Sequence, residues 1–201
     1  MMHRIILWPG LMLLLAGLAL WGGHQPWEVP LAALLHAHPD ARLLPAIVAV
    51  TRLGGAAAMI PFALAVVGFL LARGARPAAL WLFAVIASGR IVVELLKEVI
   101  GRVRPDVTGH LVEVSSASFP SSHAAGSMLT VAAMLVLFRP SAALAVVCLM
   151  WPIAVGVSRL LLGVHWPGDV LAGWGFALVW TALAAMRFPP PTLSNRRFRV
   201  G

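Results

Sequence analysis

The most legible chemistry in this 201-residue chain lies between Ser158 and Asp169. Asp169 follows His165 by four positions, so a helical turn around Pro167 lets the carboxylate accept the imidazole Nδ1–H and leaves Nε2 as a free lone pair. A histidine held in this way is a nucleophile or a base. Arg159, six residues before His165, adds a planar donor fork suited to phosphate, which a lysine matches less well.

Two further clusters have the same anionic bias. Lys97 and Arg104 stand seven residues apart, on either side of Gly101, which can end a helix, and just before Pro105, so both cations can face one pocket. A Ser-rich turn, Ser115 to His123, runs straight into an apolar stretch and caps a helix there. The free amides and positive dipole end of such a helix form an anion site, so Ser121, Ser122 and the neighbouring N–H groups can hold phosphate oxygens, with His123 beside them. Taken alone, that turn also reads as an ordinary helix cap. Arg90, Glu94 and Lys97 share one helical stripe; the first two can neutralise each other as an ion pair that staples helices.

The three clusters together resemble the signatures of the type 2 phosphatidic acid phosphatase superfamily, which includes glucose 6-phosphatases and vanadium haloperoxidases. Lys-x6-Arg-Pro appears as Lys97 to Pro105, Pro-Ser-Gly-His as Pro120-Ser121-Ser122-His123, and Ser-Arg-x5-His-x3-Asp as Ser158 to Asp169. The one departure is Ser122, where the signature has glycine; a serine still supplies a backbone N–H but alters the width of the pocket. The resemblance implies that His165 attacks phosphorus, that Asp169 orients it, and that His123 protonates the departing alkoxide. Lys97, Arg104 and Arg159 would bind the phosphate oxygens, and water activated by His123 would hydrolyse the phosphohistidine. No cofactor and no metal are implied, since three cations do the work of a metal.

These residues need a scaffold, and the composition says which kind. With 61% hydrophobic and 11% charged residues and a mean hydropathy of +0.93, the chain belongs in a bilayer. Apolar runs long enough to cross about 30 Å of hydrocarbon start near Ile5, Gly54, Ala78, His123, Ala142 and Asp169 and end near Gly22, Ala72, Ile100, Phe138, Leu162 and Met186. The expected fold is therefore all-α: a polytopic bundle of six transmembrane helices, with an interfacial helix between the first two, within His24 to Arg52 and including the apolar stretch Leu43 to Val50. The first run is kept as a span because Trp21-Gly22-Gly23 is a poor signal-peptide cleavage site. One domain over residues 1–188 is expected, followed by a flexible basic tail, 189–201, near anionic lipid.

Charge sets the orientation. Arg4, Arg73, Arg76, Arg139, Arg187, Arg196, Arg197 and Arg199 fall on one side with no acid among them, which marks that side as cytoplasmic, together with both termini. The proposed chemistry then lies on the extracytoplasmic side of a bacterial inner membrane. The net charge of +8 does not point to nucleic acid, because the basic residues sit at the ends of apolar runs and not along one polar face. A single cysteine, Cys148, allows neither a disulfide framework nor a cysteine metal site. His36 and His38 lack carboxylate or cysteine partners beyond Asp40, and read as an interfacial loop.

The function expected is a lipid phosphatase reached sideways from the bilayer. Within the family the resemblance allows undecaprenyl diphosphate, phosphatidylglycerophosphate, phosphatidic acid or a lipid A phosphate, with undecaprenyl diphosphate narrowly preferred. A transporter or flippase for phosphorylated lipid is the alternative of another class, suggested by Arg90 and Glu94 inside a span. Six spans suffice for a monomer.

Overall fold

The computed structural model describes residues 2–21, 28–106 and 109–193, with the side chains of the first segment described from Ile5. The side chain of Arg4, together with Gly22, His24 to Trp27, Arg196, Arg197 and Arg199, on which the sequence expectations also drew, lies outside what is described. Eight α-helices and no strand are present among the described residues: α1 Met2–Trp21, α2 Glu28–Leu35, α3 Leu44–Gly54, α4 Ala56–Ala72, α5 Arg76–Ile100, α6 Ser122–Phe138, α7 Ala142–Leu161 and α8 Pro167–Arg187.

A helix stands at each of the six apolar runs. Three of them, α5, α7 and α8, are long and apolar enough to cross a membrane, and α3 with α4 makes a fourth span if that pair, bent by 48°, is counted as one. The described part of α1, Ile5–Trp21, and α6 are apolar but shorter. The segment before the second run differs from the expected single interfacial helix. It forms two short helices, and α3 leads directly into α4 through a break at Gly55, where the backbone is extended (φ −75°, ψ 170°). The break has a packing cause: Gly54 lies so close to α7 that a Cβ there would stand 2.3 Å from a methyl of Val155.

The helix at the centre is α6, most of whose residues are buried. Leu129, Ala132, Ala133 and Val136 pack against Leu82, Val85 and Ile86 of α5 and Ala177 and Leu178 of α8 in one core. Small residues let the backbones approach, the usual device where lipid tails are as apolar as side chains. On α1 and α8 this is extreme: a Cβ on Gly175 would meet the Leu14 backbone N at 2.2 Å, and one on Gly17 the Ala172 N at 2.5 Å.

Helix ends place the polar residues. α5 stops at Gly101, which takes the left-handed conformation (φ 59°) and donates its N–H to Lys97 O at 2.9 Å, so the chain turns out of the bundle with Lys97 in the last turn. The loop from residue 101 returns through a cis Phe119–Pro120 bond to Ser121, the N-cap of α6. α7 ends just beyond Arg159, and α8 opens with Pro167 in its first turn and Asp169 as its third residue. The C-terminal ends of α5 and α7 and the N-terminal ends of α6 and α8 thus share one end of the bundle. Arg73, Arg76, Arg139 and Arg187 mark the opposite helix ends. Just before the expected tail, Phe188 O accepts the Trp81 indole N–H at 2.7 Å, and within the tail Leu193 packs on the core; the expected tail residues 194–201 lie outside those described.

Candidate active site

Four helix ends and one loop enclose a cavity of about 770 Å³ lined by Lys97, Arg104, Ser122, His123, Arg159 and His165, among others. The cavity is unusually charged for an apolar chain, and its inner groups are withdrawn from water, Lys97 being 2% exposed, Arg159 4% and His165 2%, with Asp169 wholly buried behind the histidine; Arg52, Glu94 and Glu113 lie exposed at its edge.

The imidazole is held from both sides. Its Nδ1 lies 3.3 Å from Asp169 Oδ2, and its Nε2 lies 3.2 Å from Arg104 Nη1. A guanidinium has only donors, so Nε2 must be the acceptor and the ring proton must sit on Nδ1, facing the carboxylate. This is the tautomer that leaves a lone pair toward the cavity. Burial pushes the His165 pKa from its ordinary 6.5 down to about 3; the bond and charge of Asp169 oppose this, whereas Arg104 and Arg159 reinforce it. The ring is therefore neutral at physiological pH, as a nucleophile requires.

Asp169 is fixed through both of its oxygens. Oδ2 accepts from the Ser118 hydroxyl at 2.5 Å and from the Trp166 backbone N–H at 2.9 Å, closing the N-terminal turn of α8. Oδ1 accepts from Arg102 Nη1 at 2.6 Å, and Arg102 Nη2 in turn donates to Glu28 Oε2 at 2.6 Å. Glu28 Oε1 takes the Gly168 N–H at 3.0 Å, so a buried Glu28–Arg102–Asp169 triad ties α2 to α8. The Arg102 guanidinium also lies over the Trp166 ring, 5.5 Å from its centroid.

Among the described residues four cations line the cavity: the exposed Arg52, and Lys97, Arg104 and Arg159, which reach it by different routes. Arg104 is anchored through Nε to Ser116 O at 2.8 Å and through Nη1 to Val164 O at 2.5 Å, and burial lowers its pKa from the ordinary arginine value. Lys97 Nζ donates to Ala117 O at 2.5 Å. Arg159 Nη1 donates to Thr51 Oγ1 at 2.8 Å, while its Nε is buried with no protein partner among the described residues. An unmade bond of that kind costs about 1–3 kcal/mol, which an anion in the cavity would recover.

The two serines at the head of α6 separate. Ser121 is fully buried; its Oγ caps the Ala124 N–H at 3.5 Å and its own N–H goes to Asp169 O at 3.0 Å, so neither group faces the cavity. It holds α6 to α8 instead of reaching the phosphate position. Ser122 does line the cavity, and its hydroxyl donates to Glu94 Oε1 at 2.7 Å. No direct Arg90–Glu94 ion pair is among those of the described residues, although the two charges still interact. The Arg90 guanidinium instead nests over α6, where a Cβ on Gly126 would stand 2.2 Å from Nη1. His123 borders the α3–α4 break: a Cβ on Gly55 would lie 3.0 Å from its Nε2.

Arg102, Glu28, Ser118 and Thr51 escaped the reading by spacing. Arg102 carried one usable signal: a second arginine two residues before Arg104, at a membrane boundary, needs a counter-charge. No spacing pattern links Glu28 or Thr51 to partners more than 70 residues away.

Comparison with known proteins agrees with this geometry. The profile of the PAP2 superfamily matches residues 78–190, which include all three clusters. The lipid A 1-phosphatase of Rhizobium johnstonii is 33% identical over 118 residues, 53% of this chain and 46% of that protein; the chain spans about half the length of this relative. Phosphatidylglycerophosphatase B of Bacillus subtilis is 32% identical over 139 residues, 65% of this chain and 68% of the relative. The crystal structure of a transmembrane PAP2-type phosphatidylglycerolphosphate phosphatase from Bacillus subtilis superposes with a TM-score of 0.78 and 25% identity, covering 90% of this chain and 94% of its own.

Proposed function

The chain belongs to the PAP2 superfamily, and from that membership and the geometry of its cavity we propose that it hydrolyses the phosphate of a membrane lipid through a phosphohistidine on His165. The observation that carries this reading is the His165 ring, backed by Asp169 at Nδ1, with its Nε2 directed at Arg104 in a cavity that also holds Lys97, Arg159 and His123.

In the first step Nε2 attacks phosphorus, the P–O bond to the lipid breaks, and His123 gives its proton to the leaving alkoxide. The imidazolium that forms is stabilised by Asp169, which gains an ion pair only once the bond is made. Lys97, Arg104 and Arg159 match the charge on the three non-bridging oxygens, and the unpartnered Arg159 Nε is a donor available for one of them. Arg104 is released from the lone pair by the phosphate itself. In the second step His123 takes a proton from water, the resulting hydroxide equivalent attacks phosphorus, and the bond to Nε2 breaks, restoring neutral His165. Metal plays no part in this account.

We place the protein in the bacterial inner membrane with six spans, both termini cytoplasmic and the cavity extracytoplasmic. Arg73, Arg76, Arg139 and Arg187 at the bundle end opposite the cavity support this orientation. A 17-residue helix such as α6 is about 26 Å long, at the short limit for a span. The names of the relatives suggest a lipid A phosphate or phosphatidylglycerophosphate as substrate class, alongside phosphatidic acid and undecaprenyl diphosphate. The test is phosphate release from a panel of these lipids by purified protein in EDTA. The expected result is metal-independent release that falls by about 10³-fold or more in His165→Ala; release at the wild-type rate from that variant would refute the mechanism.

A further inference from the structure

A second concavity of about 640 Å³ opens between α4 and α5, lined by apolar side chains that include Ile60, Leu64, Val67, Phe83, Ile91 and Leu95. Among the described residues a single side chain, Glu94, lines both this groove and the phosphate cavity. A third apolar concavity, beside Cys148 and Trp151, shares no residue with the cavity. On the lipid phosphatase reading, the apolar chain of a substrate whose phosphate sits among Lys97, Arg104 and Arg159 lies in the α4–α5 groove, and the few atoms joining phosphate to chain must pass Glu94.

Glu94 is held for such a role. Its Oε1 accepts the Ser122 hydroxyl at 2.7 Å, a bond that a glycine at position 122 could not make. Its Oε2 has no protein donor among the described residues and remains an acceptor beside the passage. The other charged residues of the groove are Arg90, one turn deeper along α5, and Glu98, one turn toward the helix end, so the groove carries one positive and two negative groups. Arg52 and Glu113 line the cavity but not the groove.

We propose that the Ser122–Glu94 pair selects the linker of the substrate: a lipid phosphate whose phosphate-bearing carbon is closely followed by hydroxyl or amide N–H donors, as in a glycerol or sugar headgroup. A carboxylate there accepts a bond from such a donor. A diphosphate places its second anionic phosphate at the same point, where it meets like charge. Selection by a single polar contact is effective because a hydrogen bond to a carboxylate stabilises only the linker that carries the donor.

The test compares three probes in one detergent: 1-oleoyl lysophosphatidate, its analogue lacking the glycerol hydroxyl, and farnesyl diphosphate. Wild-type protein is expected to favour the hydroxyl-bearing probe over the deoxy analogue by about tenfold in kcat/KM, and both over the diphosphate. In Glu94→Ala the hydroxyl preference falls to about one. Glu94→Gln keeps part of that preference but raises relative turnover of the diphosphate several-fold, and Ser122→Gly weakens the preference by freeing the carboxylate. These are ratios within each variant, so loss of total activity leaves them readable, and the Gln and Gly variants serve if the Ala variant does not fold. An unchanged ratio in the Glu94 variants, or a wild-type preference for the diphosphate, would overturn the proposal. Failure of wild-type protein to release phosphate from any lipid would instead sink the phosphatase reading on which it rests.

Discussion

His165 is held for its chemistry by Asp169, and Asp169 in turn by what surrounds it. A carboxylate at 0% exposure is tolerable because two hydroxyl or amide donors, one imidazole and one guanidinium satisfy it, and Arg102 is in turn balanced by Glu28. Removing one member of a buried ion network strands the others, at a cost of about 3–5 kcal/mol. Arg102→Ala is therefore expected to lower the thermal unfolding midpoint in detergent and reduce kcat together, whereas Glu28→Gln, which keeps an acceptor for Gly168, does less of both. Equal midpoints for wild type and Arg102→Ala would refute the structural role of the triad. A pH dependence belongs to the same residues. With the folded His165 pKa near 3 and the unfolded value near 6.5, the unfolded chain holds the extra proton between those limits. Stability from this group is complete above about pH 6.5 and is lost as pH falls toward 3, by at most about 1.4 kcal/mol per pH unit. His165→Asn should show a shallower fall of its unfolding midpoint below pH 6.5 than wild type does; parallel curves would contradict the neutral, buried ring. Spacing alone singled out Lys97, Arg104, Arg159 and both histidines, because their signatures are local in sequence, but not Arg52, which also lines the cavity. It could not reveal Glu28 or Thr51, whose partners are brought near only by folding, nor that Ser121 turns inward to cap α6 while Ser122 faces the cavity.

At the scale of elements, the site is made by where helices stop. Gly101, Ser121 and Pro167 are the stop and start signals that bring Lys97, His123 and Asp169 to one end of the bundle, and each was readable from residue type. The segment before α4 was not. Its polar residues suggested one interfacial helix, but Gly54 and Gly55 permit a bent α3–α4 pair whose close approach to Val155 brings Thr51 to Arg159. Packing of α1 on α8 carries the clearest prediction here. Gly175→Leu would drive a side chain into the backbone of Leu14, at a cost of about 1–3 kcal/mol or more, and should lower the unfolding midpoint and loosen α8, which bears Asp169. Gly68→Ala is the control, since a Cβ at that position meets nothing within 4 Å, and it should unfold like wild type. A Gly175→Leu protein as stable as that control would show that the helices need not approach so closely.

At the scale of the whole molecule, a chain of low charge density concentrates its ionisable groups at one end and arranges its remaining described arginines, Arg73, Arg76, Arg139 and Arg187, at the other. The first end has the electrostatics of an anion site, and the basic, acid-free second end supports the proposed cytoplasmic orientation. Between them lies the apolar α4–α5 groove, which meets the cavity at Glu94. The central claim is a covalent one, and it can be tested by trapping. Protein mixed with a lipid labelled in its terminal phosphate, in EDTA, and quenched within a turnover should carry label that is stable to alkali, labile to acid and located on the peptide containing His165, and His165→Ala should carry none. Label on another residue, or full turnover by the wild type with no protein-bound phosphate and undiminished turnover by His165→Ala, would contradict the account.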